Sequence, residues 1–185
     1  MKATSVLMAG FGGQGMLLAG KALAQAAMAE GLQVSWLPSY GPEMRGGTAN
    51  VIVCVSKDPI ASPLVSRPDA LLAMNLPSLD RFEASVAPGG TIVVNATLVA
   101  RACARDDCRV VRVDARALAQ AAGSERAANF VMLGAYVGAT ALLPTRAAET
   151  AIADEFRDGR ERHIAANVLA FRAGVEAGSA NEVQA

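Results

Sequence analysis

Charged and aromatic residues are both scarce in this chain of 185 residues. Charged residues make up 18% of the sequence, divided into 17 basic and 17 acidic side chains, and aromatic residues make up only 4%. A balanced charge does not attract nucleic acid or an anionic membrane, and so few rings cannot stack a series of single-stranded bases. The composition therefore favours small molecules or other proteins as partners.

Cysteine is also sparse. Cys54, Cys103 and Cys108 form no Cys-x-x-Cys pair, so the chain alone lacks the usual ligands of an iron–sulfur cluster or a zinc ribbon. No nucleophile, base and orienting acid can be assembled from the motifs, so we expect no catalytic and no metal-binding residue. The unpaired cysteines and a start without a signal-peptide cleavage pattern predict a reducing compartment, the cytoplasm.

Long apolar runs are missing as well. The longest, residues 130–143, is shorter than the roughly 20 residues that a membrane-spanning helix needs. It is predicted to be a buried helix, in which Gly134 and Gly138 lie one turn apart and allow another element to approach closely. With 52% hydrophobic residues, the chain is long enough for one core. We expect one domain over residues 1–178 and a frayed tail over residues 179–185.

Apolar strand patterns alternate with helix patterns along the first two thirds of the chain. This alternation indicates an α/β fold with a mostly parallel sheet that is covered on both faces, followed by a helical C-terminal third. The predicted strands are residues 4–9, 33–37, 49–56, 69–74, 91–95 and 109–113. The predicted helices are residues 16–30, 79–86, 115–122, 129–143, 145–156 and 161–177, the last with a core-facing stripe of Ile164, Val168, Phe171 and Val175.

A glycine-rich turn follows the first strand and opens the first helix. Gly10, Gly12 and Gly15, with Gly13 and Gln14 between them, match the spacing of the dinucleotide fingerprint. An NAD site also needs an acidic residue about 20 positions further on. Residues 34–39 read VSWLPS and contain none, so NAD binding is disfavoured. Two interpretations stay open: the turn contacts an anion, or its glycines only permit a tight turn and close helix packing.

A second informative segment, SYGPEMRGGTAN, occupies residues 39–50. It places Tyr40, Glu43 and Arg45 on a loop with proline and glycine, after the second strand, at the edge where open α/β sheets have their sites. The alternative is an ordered connecting loop in which Glu43 and Arg45 pair locally.

Together, GFGGQG and PSYGPEMRGGTAN, separated by one helix and one strand, resemble the gamma subunits of 2-oxoacid:ferredoxin oxidoreductases. The pyruvate/ketoisovalerate/2-oxoglutarate oxidoreductase family includes these subunits. Residues 60–63, 68–71, 129–135 and 167–174 also look like segments of this family. The resemblance thus covers nearly the whole chain.

The resemblance implies a Rossmann-like three-layer αβα sandwich that assembles with alpha and beta subunits, often with a ferredoxin-like delta subunit. Such complexes convert a 2-oxoacid and coenzyme A into an acyl-CoA and carbon dioxide and pass electrons to ferredoxin. Thiamine diphosphate and a [4Fe-4S] cluster are expected in the partner subunits, and no cofactor is expected to bind this chain tightly. The isolated chain is expected to be inactive and able to self-associate.

The resemblance also implies which residues contact a cofactor, with coenzyme A the candidate. Arg45 is the best partner for a phosphate or carboxylate because its planar guanidinium is always charged. The PEMRGGT form looks closer to the 2-oxoglutarate and branched-chain enzymes than to the pyruvate enzymes. The candidate contacts are Gly10, Gly12, Gly13, Gln14, Gly15, Tyr40, Gly41, Glu43, Met44, Arg45, Gly46 and Gly47.

Two other functions stay open. A stand-alone dinucleotide-binding Rossmann oxidoreductase is favoured by the glycine fingerprint alone. The other is a purely structural interaction module, which binds no ligand and uses neither the glycine turn nor the loop of residues 40–47 as a binding site.

Overall fold

A six-stranded sheet forms the centre of the computed structural model, which describes residues 3–40 and 48–180. The first half of the chain contains β1 (Thr4–Phe11), α1 (Met16–Ala29), β2 (Gln33–Tyr40), β3 (Thr48–Ser56), β4 (Ala70–Ala73) and α2 (Leu76–Phe82). The second half contains β5 (Thr91–Asn95), β6 (Arg109–Val113), α3 (Ala115–Ala121), α4 (Ala128–Thr140), α5 (Thr145–Asp154) and α6 (Ile164–Ala180).

The strands lie in the order β2-β3-β1-β4-β5-β6. β1, β4, β5 and β6 are parallel, whereas β3 is antiparallel to both of its neighbours, β1 and β2. β2 therefore runs in the same direction as β1, and both end at the same edge of the sheet. The predicted α/β fold with a mostly parallel sheet is confirmed.

Apolar side chains cover both faces of this sheet, because successive residues of a strand point to opposite sides. Val6 and Met8 of β1 belong to a large core with α1, α4, α5 and α6. Leu7 and Ala9 belong to a smaller core with Leu79 of α2. The result is the expected Rossmann-like arrangement of three layers.

The helices α4 and α6 touch through their backbones. A Cβ atom added to Gly134 of α4 would lie 2.0 Å from the carbonyl oxygen of Phe171, and one added to Gly174 of α6 would lie 2.1 Å from that of Val131. Gly138 and Gly178 repeat the arrangement one turn further on. The close approach predicted from Gly134 and Gly138 is confirmed, and a reciprocal pair of glycines on α6 completes it.

The predicted core stripe of α6 is confirmed in part, because Phe171 belongs to the core and Val168 and Val175 pack against it. Of its four members only Phe171 is fully buried, whereas Ile164, Val168 and Val175 are partly exposed. The buried face also passes through Gly174 and Gly178, because the glycines let the two helices approach more closely than large side chains would. Apolar periodicity alone gives such small residues too little weight.

The C-terminal boundary also differs from the prediction. α6 includes residues 179 and 180, and the hydroxyl of Ser179 donates a hydrogen bond of 3.2 Å to the carbonyl of Gly138. These two residues therefore belong to the folded helix and not to a frayed tail. The rest of the predicted tail, residues 181–185, lies outside the described residues.

Two further boundaries shift for local reasons. β2 continues through Pro38 to Tyr40, because an edge strand tolerates a residue that has no N–H. α2 begins at Leu76 and not at residue 79, since the Asn75 side chain accepts a hydrogen bond of 3.0 Å from the Ser78 amide and caps the helix.

Across residues 3–40 and 48–180, no helix has both the length and the apolar character needed to cross a membrane.

The Gly134→Ala substitution tests the contact between α4 and α6. Helix propensity alone predicts that alanine raises the free energy of unfolding by about 1 kcal/mol. The added methyl group would instead collide with the Phe171 carbonyl, so we expect a decrease of about 1–3 kcal/mol. Denaturant unfolding monitored by circular dichroism measures the sign. Glu176→Ala, on the exposed side of α6, is the control and should change stability by less than about 0.5 kcal/mol.

Candidate functional site

A crevice of about 710 Å³ opens at the carboxyl edge of the sheet. Gly13 and Gln14, which follow β1, line it together with Met74 after β4 and Asn95 at the end of β5. From the carboxyl edge, the connection after β1 leads to β2 on one side and the connection after β4 leads to β5 on the other, so the strand order reverses between β1 and β4. Open α/β sheets bind ligands at such a reversal, which makes this crevice the candidate site.

The glycine turn forms one wall of the crevice. Gly10 lies within β1 and not in the turn, which differs from the usual position of the first fingerprint glycine. Gly13 and Gly15 have φ angles of 96° and 76°, a left-handed conformation that favours glycine. Gly15 is the N-cap residue of α1, and no side chain caps this helix.

Gln14 folds back and holds the turn closed. Its Oε1 atom accepts hydrogen bonds from the Phe11 amide at 2.6 Å and from Nδ2 of Asn75 at 2.8 Å. A Cβ atom at Gly10 would lie 2.7 Å from the same oxygen, so a side chain there would displace Gln14. The absence of a side chain at Gly10 thus has an internal reason that requires no dinucleotide.

Asn129, at the start of α4, supports the other end of the turn. Its Nδ2 group donates a hydrogen bond of 3.0 Å to the carbonyl of Gly15, and the residue is only 3% exposed. A Cβ atom at Gly15 would lie 2.8 Å from that nitrogen. Asn129 therefore braces the glycine turn against the start of α4.

Asn95 fixes the opposite wall. Its Nδ2 group donates a hydrogen bond of 3.1 Å to the Met74 carbonyl, and its Oδ1 atom accepts one of 3.2 Å from the Thr97 amide. A buried amide with partners on both sides holds the ends of β4 and β5 together. The walls of the crevice are therefore set by side-chain amides.

Most charged groups near the crevice already have ion-pair or hydrogen-bond partners within the protein. Arg116 pairs with Glu125 at 2.8 Å. Asp114 accepts hydrogen bonds from the Thr97 hydroxyl at 2.6 Å and from the Ala117 amide at 3.0 Å, and these bonds lower the pKa of its carboxyl group. Arg126 is exposed and makes no hydrogen bond or ion pair within the described part of the chain.

These groups suit the binding of an anion better than proton transfer. The guanidinium of Arg126 is an open cation, and Nε2 of Gln14 donates to none of the described residues. The carboxylates of Asp114 and Glu125 are already held by hydrogen-bond or ion-pair partners. The crevice can thus supply positive charge and hydrogen-bond donors to a ligand.

The register of the sheet relates the two predicted contact segments. Ala49 of β3 lies opposite Gly10 on one side and opposite Tyr40 on the other. Two strand spacings separate Gly10 from Tyr40, about 10 Å between their backbones. The glycine turn, with Gly12, and the end of β2 therefore share one edge of the sheet.

The remaining predicted contacts cannot be placed in this geometry. Gly41, Glu43, Met44, Arg45, Gly46 and Gly47 lie outside the described residues. For Tyr40, the structure describes the backbone alone. These contacts therefore stay predictions.

Sequence reasoning missed Asn75, Asn95 and Arg126 as site residues. Asn75 and Asn95 stand where an apolar strand ends, which is the position that lines a carboxyl-edge crevice. That pattern was available in the sequence. Arg126 lies in a short 3₁₀ turn, Glu125–Ala127, that no motif distinguishes, so only the fold brings it to the crevice.

Comparison with known proteins identifies a family that matches this chain. The sequence model of the family described as pyruvate ferredoxin/flavodoxin oxidoreductase matches residues 5–177. The ketoisovalerate oxidoreductase subunit VorA of Methanothermobacter marburgensis is 42% identical over 174 residues, which are 92% of this chain and 36% of that protein. The chain therefore spans about a third of the length of that relative.

Two other similar proteins match from end to end. The 2-oxoglutarate synthase subunit KorC of Methanothermobacter thermautotrophicus is 39% identical over 178 residues, which cover 92% of this chain and 93% of that protein. The crystal structure of a keto/oxoacid ferredoxin oxidoreductase gamma subunit from Geobacter sulfurreducens superposes with a TM-score of 0.82 at 32% identity. That match covers 96% of this chain and 99% of the gamma subunit.

The Gln14→Ala substitution tests the closed turn. Removing the side chain leaves the Phe11 amide and the Asn75 amide group without their shared acceptor. We expect the free energy of unfolding to fall by about 1–3 kcal/mol. Gln120→Ala is the matched control, because Gln120 is exposed and makes one long hydrogen bond of 3.4 Å. Equal losses for the two variants in denaturant unfolding would contradict the role assigned to Gln14.

Proposed function

The chain belongs to the pyruvate ferredoxin/flavodoxin oxidoreductase family, and we propose that it is the gamma-type subunit of a multisubunit 2-oxoacid:ferredoxin oxidoreductase. The observation that carries the proposal is the end-to-end match with proteins that are themselves separate subunits, KorC and the Geobacter gamma subunit.

In the proposed complex, this chain works with alpha and beta subunits and with a ferredoxin-like delta subunit in the cytoplasm. The partners hold thiamine diphosphate and the [4Fe-4S] cluster and carry out oxidative decarboxylation of the 2-oxoacid. The products are an acyl-CoA, carbon dioxide and electrons for ferredoxin. The chain alone is inactive, and its contribution is a docking surface and a contact to coenzyme A.

The carboxyl edge of the sheet is the place for this contact. The turn from Gly10 to Gly15 and the segment from Tyr40 to Gly47 begin at the same edge, as the pairing of Gly10 and Tyr40 with Ala49 requires. Arg126 and the Gln14 amide are donors that suit the phosphate groups of coenzyme A. We propose Arg45, which lies outside the described residues, as a second guanidinium partner for the phosphate groups. The names of the relatives VorA and KorC favour a branched-chain oxoacid or 2-oxoglutarate as the substrate.

A stand-alone dinucleotide enzyme is the second candidate, and the spacing of Gly10, Gly12 and Gly15 favours it. Two observations weigh against it. Gln14 folds back against Gly10, and residues 34–39 contain no acid for a ribose. The glycine spacing therefore supports an internal clamp better than a dinucleotide site.

Calorimetric titration separates the two candidates. NAD, NADP and coenzyme A are titrated in parallel into the isolated chain and into the assembled complex. We expect coenzyme A to bind the complex and neither dinucleotide to bind the isolated chain, because the ribose acid is missing. Micromolar binding of NAD to the isolated chain would reverse the order of the two candidates.

The Arg45→Ala variant tests the coenzyme A contact in the assembled complex. Loss of one charge-assisted hydrogen bond to a phosphate costs about 1.5–3 kcal/mol, so the KM for coenzyme A should rise roughly 10- to 150-fold. The KM for the 2-oxoacid should change little. Arg157→Ala is the control, because Arg157 is exposed and its ion pair among the described residues is with Asp154, three residues away. An unchanged KM for coenzyme A in the Arg45 variant would leave only a docking function.

A further inference from the structure

The two edges of the sheet differ: charged residues and a loop protect the β6 edge against pairing with another strand, whereas the β2 edge has no charged residue. The edge strand β6 carries Arg109 and Arg112, and Arg112 donates hydrogen bonds of 2.8 and 2.7 Å to the carbonyls of Arg101 and Val99. The arginine charges and the hydrogen-bonded loop that contains Val99 and Arg101 therefore hinder the pairing of another strand with β6. The edge strand β2, eight residues long, contains no charged residue, and neither does the sequence of residues 31–42.

The β2 edge also exposes large apolar side chains. Trp36 is 40% exposed and Met28 of α1 is 64% exposed. Trp36 pairs with Val53, so both side chains lie on the same face, and Val53 faces Gly20 of α1. Trp36 and Met28 therefore lie on the same side of the sheet. Trp and Met are enriched and charges depleted at the centres of protein interfaces.

We propose that this β2 edge, with Trp36 and Met28, is the surface on which one partner subunit docks. The partner is the subunit whose sequence corresponds to the remaining two thirds of the longer VorA-type chain. The inference rests on the proposed function and specifies its docking surface.

Two observations favour this occupant. In the VorA relative, a domain similar to this chain makes up 36% of a single longer polypeptide, so the rest of that polypeptide is covalently held at high local concentration near the domain. In this chain, β2 ends at the carboxyl edge that also holds the crevice. A partner seated along β2 would therefore lie beside the candidate site.

Pro38 limits how the partner can bind. It lies within β2 and has no N–H, so it interrupts the row of donors that an added strand would need. The contact should therefore come from the side chains of Trp36 and Met28 more than from a continuous extension of the sheet.

Labelling with 5-fluorotryptophan tests the surface, because Trp36 is the only tryptophan of the chain. The labelled chain gives one fluorine resonance, which we expect to shift and to lose its sensitivity to solvent when the unlabelled partner subunit is added. The partner used is the co-expressed subunit that matches the rest of the VorA-type chain.

Substitution provides the second measurement. The double variant Trp36→Ser and Met28→Gln should raise the dissociation constant of the two subunits at least tenfold, an effect typical of central aromatic anchors. Leu169→Ser is the control, because Leu169 is 50% exposed on α6 and should leave the affinity unchanged. Thermal melts of the isolated variants establish that they are folded.

The outcomes separate the surface from the function. If the wild-type chain forms no complex with the partner, the proposed function fails and the docking surface fails with it. If a complex forms while the fluorine resonance stays unchanged and the double variant binds normally, the function stands and the surface is wrong. A resonance that shifts with the concentration of the isolated chain, and not with the partner, would assign the edge to a second copy and overturn the proposal.

Discussion

The backbone contact between α4 and α6 is the constraint on which the candidate site depends. Gly134 and Gly174 bring each helix within van der Waals distance of the other's backbone, and this contact fixes α4 along its length. The start of α4 carries Asn129, whose side chain supports Gly15 of the glycine turn. The turn preceding α4 carries Arg126. Close helix packing on one face of the sheet therefore determines where the groups of the crevice stand.

The glycine turn illustrates how one spacing can serve different purposes. In dinucleotide sites, the glycines make room for a pyrophosphate. Here the space beside Gly10 is occupied by Gln14, and the space beside Gly15 by Asn129. The same residue types thus meet a demand of internal packing. A ligand can still approach the exposed Gly13, but the fingerprint by itself does not identify one.

Much of the fold could be predicted because its signals are local. The apolar strands and the Gly134–Gly138 spacing are visible in short windows of sequence, and all six predicted strands are present. The packed face of α6 could be predicted only in part, since the periodicity of large apolar residues finds Phe171 but not the close contacts at Gly174 and Gly178. Arg126 could not be predicted, because only long-range folding brings it to the crevice. Residues 41–47, which supply half of the predicted contacts, lie outside the described residues, so those contacts stay predictions.

A separate subunit faces a demand that a fused domain does not. Covalent linkage gives two domains an effective concentration that can reach the millimolar range, so a weak contact holds them together. A separate gamma-type subunit, as proposed for this chain, must obtain the same association from its surface. An uncharged edge strand with an exposed tryptophan is unfavourable for an isolated protein, because it invites aggregation. Such an edge is better explained if a partner covers it, as the proposed gamma-type function requires.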